Sequence, residues 1–128
     1  GHGIALGTFL LCCCDFRIGV KGEFLLGANE MRTNMVIPTP ILELIKFRVS
    51  PAHKYRAVLG AEMYSLEKAI DAGLMDIVVE PDKLMEVAME KAKDLATMGH
   101  PSYTLTKELF IKDVAESIDH AIKELETL

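Results

Sequence analysis

Apolar and polar positions along the chain change their spacing near residue 80. Before that point, short apolar runs alternate with Gly, Pro and charged residues, a pattern that predicts short strands and short helices. After it, apolar residues recur every three or four positions, which predicts amphipathic helices. We therefore expect an α/β fold in one domain, residues 1–128, with short strands in the core segment 1–80 and helices over 81–128.

The first thirty residues predict a helix and then two strands. Small residues lead into an apolar run that is expected to be helical from Ala5 to Cys13. Strict alternation predicts a strand near Asp15–Val20, and a second apolar run predicts another at Glu23–Gly27.

A loop is predicted over Met31–Pro40, because proline disfavours helix at the residue before it. Ser65 is a good N-cap for the helix that follows it. The elements predicted between this loop and residue 80 are helices over Ile41–Val49, Ala52–Leu59 and Leu66–Ala72, and a strand at Ile77–Val79.

Three helices are expected in the C-terminal segment. The first covers Pro81–Met98 and ends at Gly99, and the second covers Pro101–Phe110. The third carries an apolar stripe from Val114 to Leu125, with charged residues on its outer side.

Composition narrows the function classes. Half of the 128 residues are apolar and the net charge is −5 without a basic block, so neither nucleic acid nor an anionic membrane is an expected partner. No apolar run approaches the roughly 18 to 20 residues of a membrane span.

Cysteine and histidine positions do not predict a metal site. Cys12, Cys13 and Cys14 are consecutive, and helical neighbours point about 100° apart, so small buried thiols are the expected reading. Reduced cysteines and the lack of a signal peptide favour the cytoplasm. The four histidines have no acidic or cysteine partner at ligand spacing, and neither a nucleophile elbow nor a phosphate loop is present.

Two ordered motifs resemble the enoyl-CoA hydratase/isomerase (crotonase) family. Its segment Gly-x-Ala-x-Gly-Gly-Gly-x-Glu-Leu-Ala-x-x-Cys-Asp matches this chain at Gly1, Gly7, Leu10, Cys14 and Asp15. With one inserted residue, Glu30 falls on the acid of the family's Phe-Gly-x-Pro-Glu segment. A later stretch, from Gly60 to Val79, resembles the family's Gly-x-x-x-x-Ala-x-x-Ala-x-x-x-Gly-Leu-Val-x-x-Val-Val element.

The resemblance implies a partial crotonase-like (ClpP/crotonase) fold. The strand-strand-helix turns that precede these motifs in the family are not part of this sequence. We therefore expect the chain to correspond to the C-terminal half of a larger enzyme or to a truncated relative. Uncovered edges and apolar faces predict a homo-oligomer, a dimer, trimer or hexamer.

The substrate class implied by the resemblance is a fatty acyl-CoA thioester, with no separate cofactor. Family members stabilise an enolate oxygen with two backbone N–H groups, one of them from the turn that opens the first helix. That donor falls on Leu6, next to Gly7, although Ala5 and Leu6 replace two family glycines. A backbone donor survives a side-chain change.

Of the two catalytic glutamates of the family's hydratases, only one has a counterpart in this chain. Phe9 stands where hydratases carry the first glutamate, and phenylalanine cannot transfer a proton. Glu30 matches the second and is the candidate catalytic base, with Asn29 in place of the usual proline. Leu6, Gly7, Phe9 and Asn29 are the candidate oxyanion and substrate-binding residues. A single base favours isomerase-like over hydratase-like chemistry.

An alternative function is a catalytically inactive remnant that serves as an oligomeric structural or binding module. Loss of one oxyanion donor costs on the order of 10²- to 10³-fold in rate. Loss of one proton-transfer group costs roughly another 10²- to 10⁴-fold. The isolated chain is therefore expected to be a weak enzyme or an inactive one.

Overall fold

The computed structural model describes all residues from Gly1 to Leu128 and contains five short strands and six helices. The strands are β1 (Gly3–Ile4), β2 (Ile18–Val20), β3 (Leu25–Gly27), β4 (Tyr64–Ser65) and β5 (Ile77–Val79). The helices are α1 (Leu6–Cys12), α2 (Thr39–Arg48), α3 (Lys54–Val58), α4 (Leu66–Asp71), α5 (Leu84–Ala96) and α6 (Pro101–Glu126). Short 3₁₀ turns precede α3 and α5, and a third covers Glu30–Arg32.

The strands form two small sheets. In the first, in the order β1-β3-β4, β1 is parallel to β3 and β3 is antiparallel to β4. In the second, β2 pairs with β5 in parallel, with Gly19 opposite Val78. Helix α1 leaves the first sheet after β1 and leads to β2 in the second, so it joins the two sheets. Its position is therefore fixed from both ends.

The core lies between the sheets and helices α1 to α4. Fourteen buried apolar residues form one cluster, and Tyr64, Leu26, Ile45 and Leu74 are its largest fully buried side chains. Burial of each such side chain stabilises the fold by roughly 1.5–3 kcal/mol. The expected α/β fold, with strands in the first part and helices in the second, is confirmed.

The C-terminal helices cover this core incompletely. Helix α5 has no buried residue, and Ala121 is the one buried residue of α6. Helix α6 packs on α2, where Phe110 contacts Phe47 edge to face at 6.1 Å between ring centroids. None of the helices combines the length and the apolar character that crossing a bilayer requires.

Several predicted boundaries were wrong in detail. The strands expected at residues 15–20 and 23–27 are shorter, and the two-residue strands β1 and β4 were not predicted. Such short strands are too brief to show alternation, and their pairing with β3 defines them instead. Helix α2 begins at Thr39, inside the predicted loop, because Pro40 lies in its first turn, where a missing N–H costs nothing.

The two helices predicted after Gly99 form one continuous helix, α6. No Gly or Pro occurs between Ser102 and Leu128, so nothing in that stretch stops the helix. The predicted cap of α4 is confirmed, since Ser65 Oγ accepts a hydrogen bond from the Lys68 N–H at 3.3 Å.

Candidate functional site

The carboxyl ends of β1 and β3 bring two predicted site residues to one edge of the first sheet. The strands are parallel, with Ile4 opposite Gly27. Leu6 lies just after the end of β1, and Glu30 lies just after the end of β3. The Ala5 N–H donates to the Gly27 carbonyl at 2.9 Å, which ties the start of α1 to β3. Ligand sites of α/β sheets commonly occur at such an edge.

Thr8 holds this corner together, a role that the sequence did not reveal. Its side chain is buried, and its hydroxyl donates to the Gly3 carbonyl. The same oxygen accepts from the Gly27 N–H at 2.9 Å. One hydroxyl therefore joins β1, β3 and α1. The position carries no special residue type in the family pattern, so only the contacts show its part.

The first turn of α1 presents free N–H groups. Helix geometry leaves the amides of Leu6 and Gly7 without an intrahelical acceptor. No hydrogen bond outside the helices and strands uses them as donors. Leu6 is 65 % exposed, and a Cβ added to Gly7 would meet nothing within 4 Å. The Leu6 side chain and the Cα position of Gly7 therefore have open surroundings.

Ala5 enters this turn with a backbone conformation that L-residues rarely adopt. Its φ is 52° and its ψ is −114°. Such a conformation costs on the order of 1–3 kcal/mol for a residue with a Cβ. The strain lies directly beside the candidate oxyanion donors.

Glu30 is a buried acid with an unsatisfied oxygen. The residue is 6 % exposed, and its Oε2 atom has no hydrogen-bond partner. Its backbone carbonyl, in contrast, accepts from the N–H groups of Thr33 and Met35 at 3.1 Å and 2.9 Å. A buried polar atom without a partner is uncommon, and such atoms are candidates for a ligand or for a proton to be moved. Burial and the unsatisfied oxygen make Glu30 a candidate for the site acid, and its role stays a prediction.

The other predicted site residues lie in different surroundings. Phe9 belongs to the hydrophobic core, so it supplies apolar packing at the place where hydratases carry an acid. Asn29 is half-buried, and its carbonyl accepts from the Arg32 N–H at 2.9 Å at the start of the 3₁₀ turn. It thus orders the turn that carries Glu30.

Two cavities stand out, and neither contains this corner. The smaller, about 160 Å³, is lined by residues of β1, β2 and their neighbours, including Gly3, Gly19 and Leu26. The larger, about 950 Å³, lies at the opposite end of α1. Glu30 and Leu6 line neither of them.

The larger cavity is a cleft between the C-terminal end of α1, helix α2 and helix α6. It includes all three cysteines, which contradicts the prediction that they are uniformly buried. Cys12 faces the core and is buried, whereas Cys13 and Cys14 are exposed free thiols. The reason is that α1 ends at Cys12, so the next two residues leave the apolar face of the helix.

An ion pair that the sequence did not predict, between a buried arginine and a half-buried aspartate, joins the two strands of the second sheet at the end where both begin. Arg17 is 4 % exposed, and its Nε donates to Asp76 Oδ2 at 2.9 Å. Its Nη1 donates to the Gly73 carbonyl at 2.9 Å. Burial would raise the pKa of Asp76, but hydrogen bonds and the positive charge of Arg17 outweigh it and hold that pKa below its usual range. This pair fastens the loop before β5 to the strand entry at β2.

A second polar cluster lies around β4. His53 Nδ1 is 3.1 Å from the Tyr64 hydroxyl, and Arg56 holds Glu62 with two hydrogen bonds of 2.7 Å and 2.8 Å. Burial, together with the negative charge of Glu62, raises the pKa of Tyr64. All four groups have partners within the cluster, which indicates a structural role.

Comparison with known proteins gives consistent matches. No family model matches the chain. It is 25 % identical over 123 residues to (E)-benzylidenesuccinyl-CoA hydratase of Thauera aromatica, and 29 % identical over 120 residues to mitochondrial enoyl-CoA delta isomerase 1 of Mus musculus. These alignments cover 95 % and 92 % of this chain, and 47 % and 41 % of the relatives.

Solved structures agree with this result. The crystal structure of an enoyl-CoA hydratase/isomerase family protein from Pseudomonas syringae superposes with a TM-score of 0.93 at 35 % sequence identity. The superposition covers 97 % of this chain and 54 % of that one. The chain therefore spans about half the length of the relatives that it matches, and over that half its fold is crotonase-like.

Proposed function

The chain belongs to the enoyl-CoA hydratase/isomerase (crotonase) family, and we propose that it acts on a fatty acyl-CoA thioester as a double-bond isomerase with Glu30 as its one base. The observation that carries this proposal is the buried Glu30 carboxyl, whose Oε2 has no partner and which follows β3 at the sheet edge where α1 begins.

The proposed reaction moves a proton between two carbons of the acyl chain. Glu30 removes a proton from the carbon next to the thioester carbonyl, and the electrons of that bond form an enolate. The same carboxyl then returns the proton to the far end of the double bond. In this proposal the N–H groups of Leu6 and Gly7 bind the enolate oxygen, and the partial positive charge of a helix start favours an anion there.

Isomerisation is preferred to hydration because the first acid of the hydratase pattern is replaced by a core side chain. Phe9 is buried among apolar residues and cannot position a water. With Glu30 alone, one group can shuttle one proton, whereas in this family hydration uses two carboxylates. The expected hydratase rate is lower by roughly 10²- to 10⁴-fold than that of a two-acid enzyme.

The test compares a 3-enoyl-CoA with a 2-enoyl-CoA. Isomerisation converts the first into a conjugated thioester, whose ultraviolet absorbance reports turnover, and hydration removes that absorbance from the second. We expect slow isomerisation and no hydration. Glu30→Gln should lower the isomerisation rate by about 10²-fold or more.

The matched control is Glu23→Gln, which neutralises an exposed acid on the approach to the same strand. It should leave the rate unchanged. Equal rates for wild type and Glu30→Gln would contradict Glu30 as the base. Absence of turnover at high protein concentration, with the fold intact, would contradict the isomerase proposal as a whole.

The second candidate is an inactive oligomeric remnant, and one observation favours it. Neither of the two prominent cavities joins Glu30 to the start of α1, so this half of the family's length has no large pocket at the proposed site. In this alternative the chain provides a structural or binding module, and the assay above gives no turnover with any substrate.

We also propose that the chain forms a homo-oligomer. Large apolar side chains are exposed along α6 outside the cleft, among them Leu105 and Leu109, and such patches are usually covered by another chain. Sedimentation at micromolar concentration should show a dimer, trimer or hexamer. A monomer that persists at that concentration would contradict the proposal.

A further inference from the structure

The cleft at the C-terminal end of α1 has the size and lining of a ligand pocket. Its volume of about 950 Å³ lies within the range of roughly 300–1,000 Å³ that is usual for such sites. Twelve of its eighteen lining residues are hydrophobic, and helix α6 supplies a continuous apolar wall. That wall consists of Phe110, Ile111, Val114, Ala115 and Ile118.

Two nucleophilic side chains lie on the opposite wall. Cys13 and Cys14 are both exposed and free. The only hydrogen bonds of the two thiol groups are weak ones from sulfur to the backbone carbonyls of Phe9 and Leu10, at 3.4 Å and 3.5 Å. Nothing else in the chain occupies or blocks these thiols.

Cys12 differs from its two neighbours and provides a natural comparison. It is buried in the core, and this burial raises the pKa of its thiol to about 11. The thiolate is the reactive form of cysteine, so Cys12 is a poor nucleophile at neutral pH.

Positive charges stand beside the exposed pair. Arg48 Nη2 donates to the Cys14 carbonyl at 3.0 Å, and Lys107 of α6 is paired with the adjacent Asp15. Both cations line the cleft. Asp15 also lines the cleft and balances the charge of Lys107, whereas Arg48 has no carboxylate partner. An amphipathic ligand with an apolar chain and an anionic carrier group matches an apolar wall with Arg48 at its margin.

We propose that this cleft binds the acyl chain of a fatty acyl thioester and that the Cys13–Cys14 pair accepts the acyl group, which makes it an S-acylation site. The choice of coenzyme A as the carrier rests on the proposed function. The site itself is separate from Glu30 and requires no step of the isomerisation.

The reaction is a balanced exchange of one thioester for another. The cysteine thiolate attacks the thioester carbonyl carbon, and the new carbon–sulfur bond forms as the bond to coenzyme A breaks. Coenzyme A leaves as a thiolate and takes up the proton that the cysteine lost. No oxidant, reductant or further reactant is needed.

The experiment uses the full chain and octanoyl-CoA at neutral pH, followed by intact-protein mass spectrometry. We expect a mass increase of one octanoyl group, release of one equivalent of free coenzyme A, and removal of the adduct by neutral hydroxylamine. Acetyl-CoA should react at least about tenfold more slowly, because its chain is too short to bury methylene groups against α6. Equal rates for the two thioesters would mean that the cleft plays no part and would overturn the proposal.

Three variants locate the site. The double variant Cys13→Ser/Cys14→Ser should lose the adduct, whereas Cys12→Ser, which keeps both exposed thiols, should still form it. Retention of the adduct in the double variant would overturn the assignment. Thermal unfolding of each variant verifies that folded proteins are compared. If the double variant is unstable, the folded Cys12→Ser protein still decides the test, because an adduct on it cannot be on Cys12 and loss of the adduct would overturn the assignment.

Glu30→Gln separates this proposal from the proposed function. It should be acylated as fast as wild type while isomerisation is lost. Acylation without isomerisation in the wild-type chain would support the S-acylation site and contradict the isomerase. Isomerisation without acylation would support the isomerase and contradict the S-acylation site.

Discussion

Residues 1–80 are richer in apolar residues than residues 81–128, and the two parts of the chain also use these residues differently. Residues 1–80 hold nearly the whole interior, since Ala121 is the one buried residue beyond them among the 21 that are buried. Residues 81–128 form two amphipathic helices whose apolar stripes are mostly half-buried, with Ala121 as their one buried residue. The first part owes its burial to strand pairing, which lets apolar residues from distant positions meet.

This contrast shows that an apolar stripe in the sequence of a helix does not by itself mean that the stripe is buried in the fold. In α4 the stripe meets β3 and β4, so Leu66 and Ala69 are fully enclosed. In α6 a comparable stripe meets α2 along only part of its length, and the remainder borders the open cleft. We therefore expect the free energy of unfolding to come mainly from the first part, and the second part to contribute surfaces.

The largest difference is expected between two leucine-to-alanine substitutions, one in each part of the chain. Leu26→Ala removes a side chain that is 0 % exposed at the centre of the first sheet, and should lower the free energy of unfolding by about 2–5 kcal/mol. Leu109→Ala changes a residue that is 74 % exposed on α6, and should stay within about 0.5 kcal/mol. Urea denaturation measures both. Equal losses would mean that the helical part is as strongly packed as the core.

A smaller effect is expected at the Arg17–Asp76 pair. Asp76→Asn should cost about 2 kcal/mol at neutral pH, less than full loss of a buried partner, because the amide oxygen still accepts a hydrogen bond. The pKa of Asp76 is depressed in the folded state, so the ionised group stabilises the fold above its unfolded pKa of about 3.9, and this contribution is lost as the pH falls through the folded value.

The gap between wild type and Asp76→Asn should therefore be constant above about pH 5 and shrink below about pH 4. Denaturation at several pH values measures it. Glu86→Gln is the control, since the pair of Glu86 with Lys83, the residue before α5, is exposed and its loss should be hardly detectable. A gap that does not change with pH would show that the charge of Asp76 contributes nothing.

The smallest effect is that of a helix cap. Ser65→Ala removes the acceptor for the Lys68 N–H and should cost about 1 kcal/mol. Ser102→Ala, an exposed serine in the first turn of α6 that makes no side-chain hydrogen bond, should cost less than half of that. Thermal unfolding distinguishes the two. A larger loss of stability for Ser102→Ala than for Ser65→Ala would contradict this expected difference between the two parts.

Local signals in the sequence were sufficient for α1, for the Ser65 cap and for the presence of β2, β3 and β5. They failed where the deciding contact is distant. Arg17 and Asp76 are 59 positions apart, and no spacing rule connects them. Strands β1 and β4 exist only because β3 lies between them.

The candidate site was predictable only in part, because local sequence signals do not show contacts between distant residues. Glu30 was found through a motif, and its burial and unpaired oxygen are consistent with that choice without testing its role. Thr8 was missed because its hydroxyl acts through two backbone groups that only the folded chain brings together. The different exposure of Cys12, Cys13 and Cys14 depends on where α1 ends, and an end without Gly or Pro is hard to place within one residue.

The unusual backbone angles of Ala5 have an evolutionary consequence. Every alanine codon becomes a glycine codon by a single base change, and glycine adopts a positive φ without penalty. A mutational drift experiment under selection for thermal tolerance should therefore recover glycine at position 5 early and repeatedly. A lineage that retains alanine at position 5 keeps a strained backbone that a single nucleotide change would relieve.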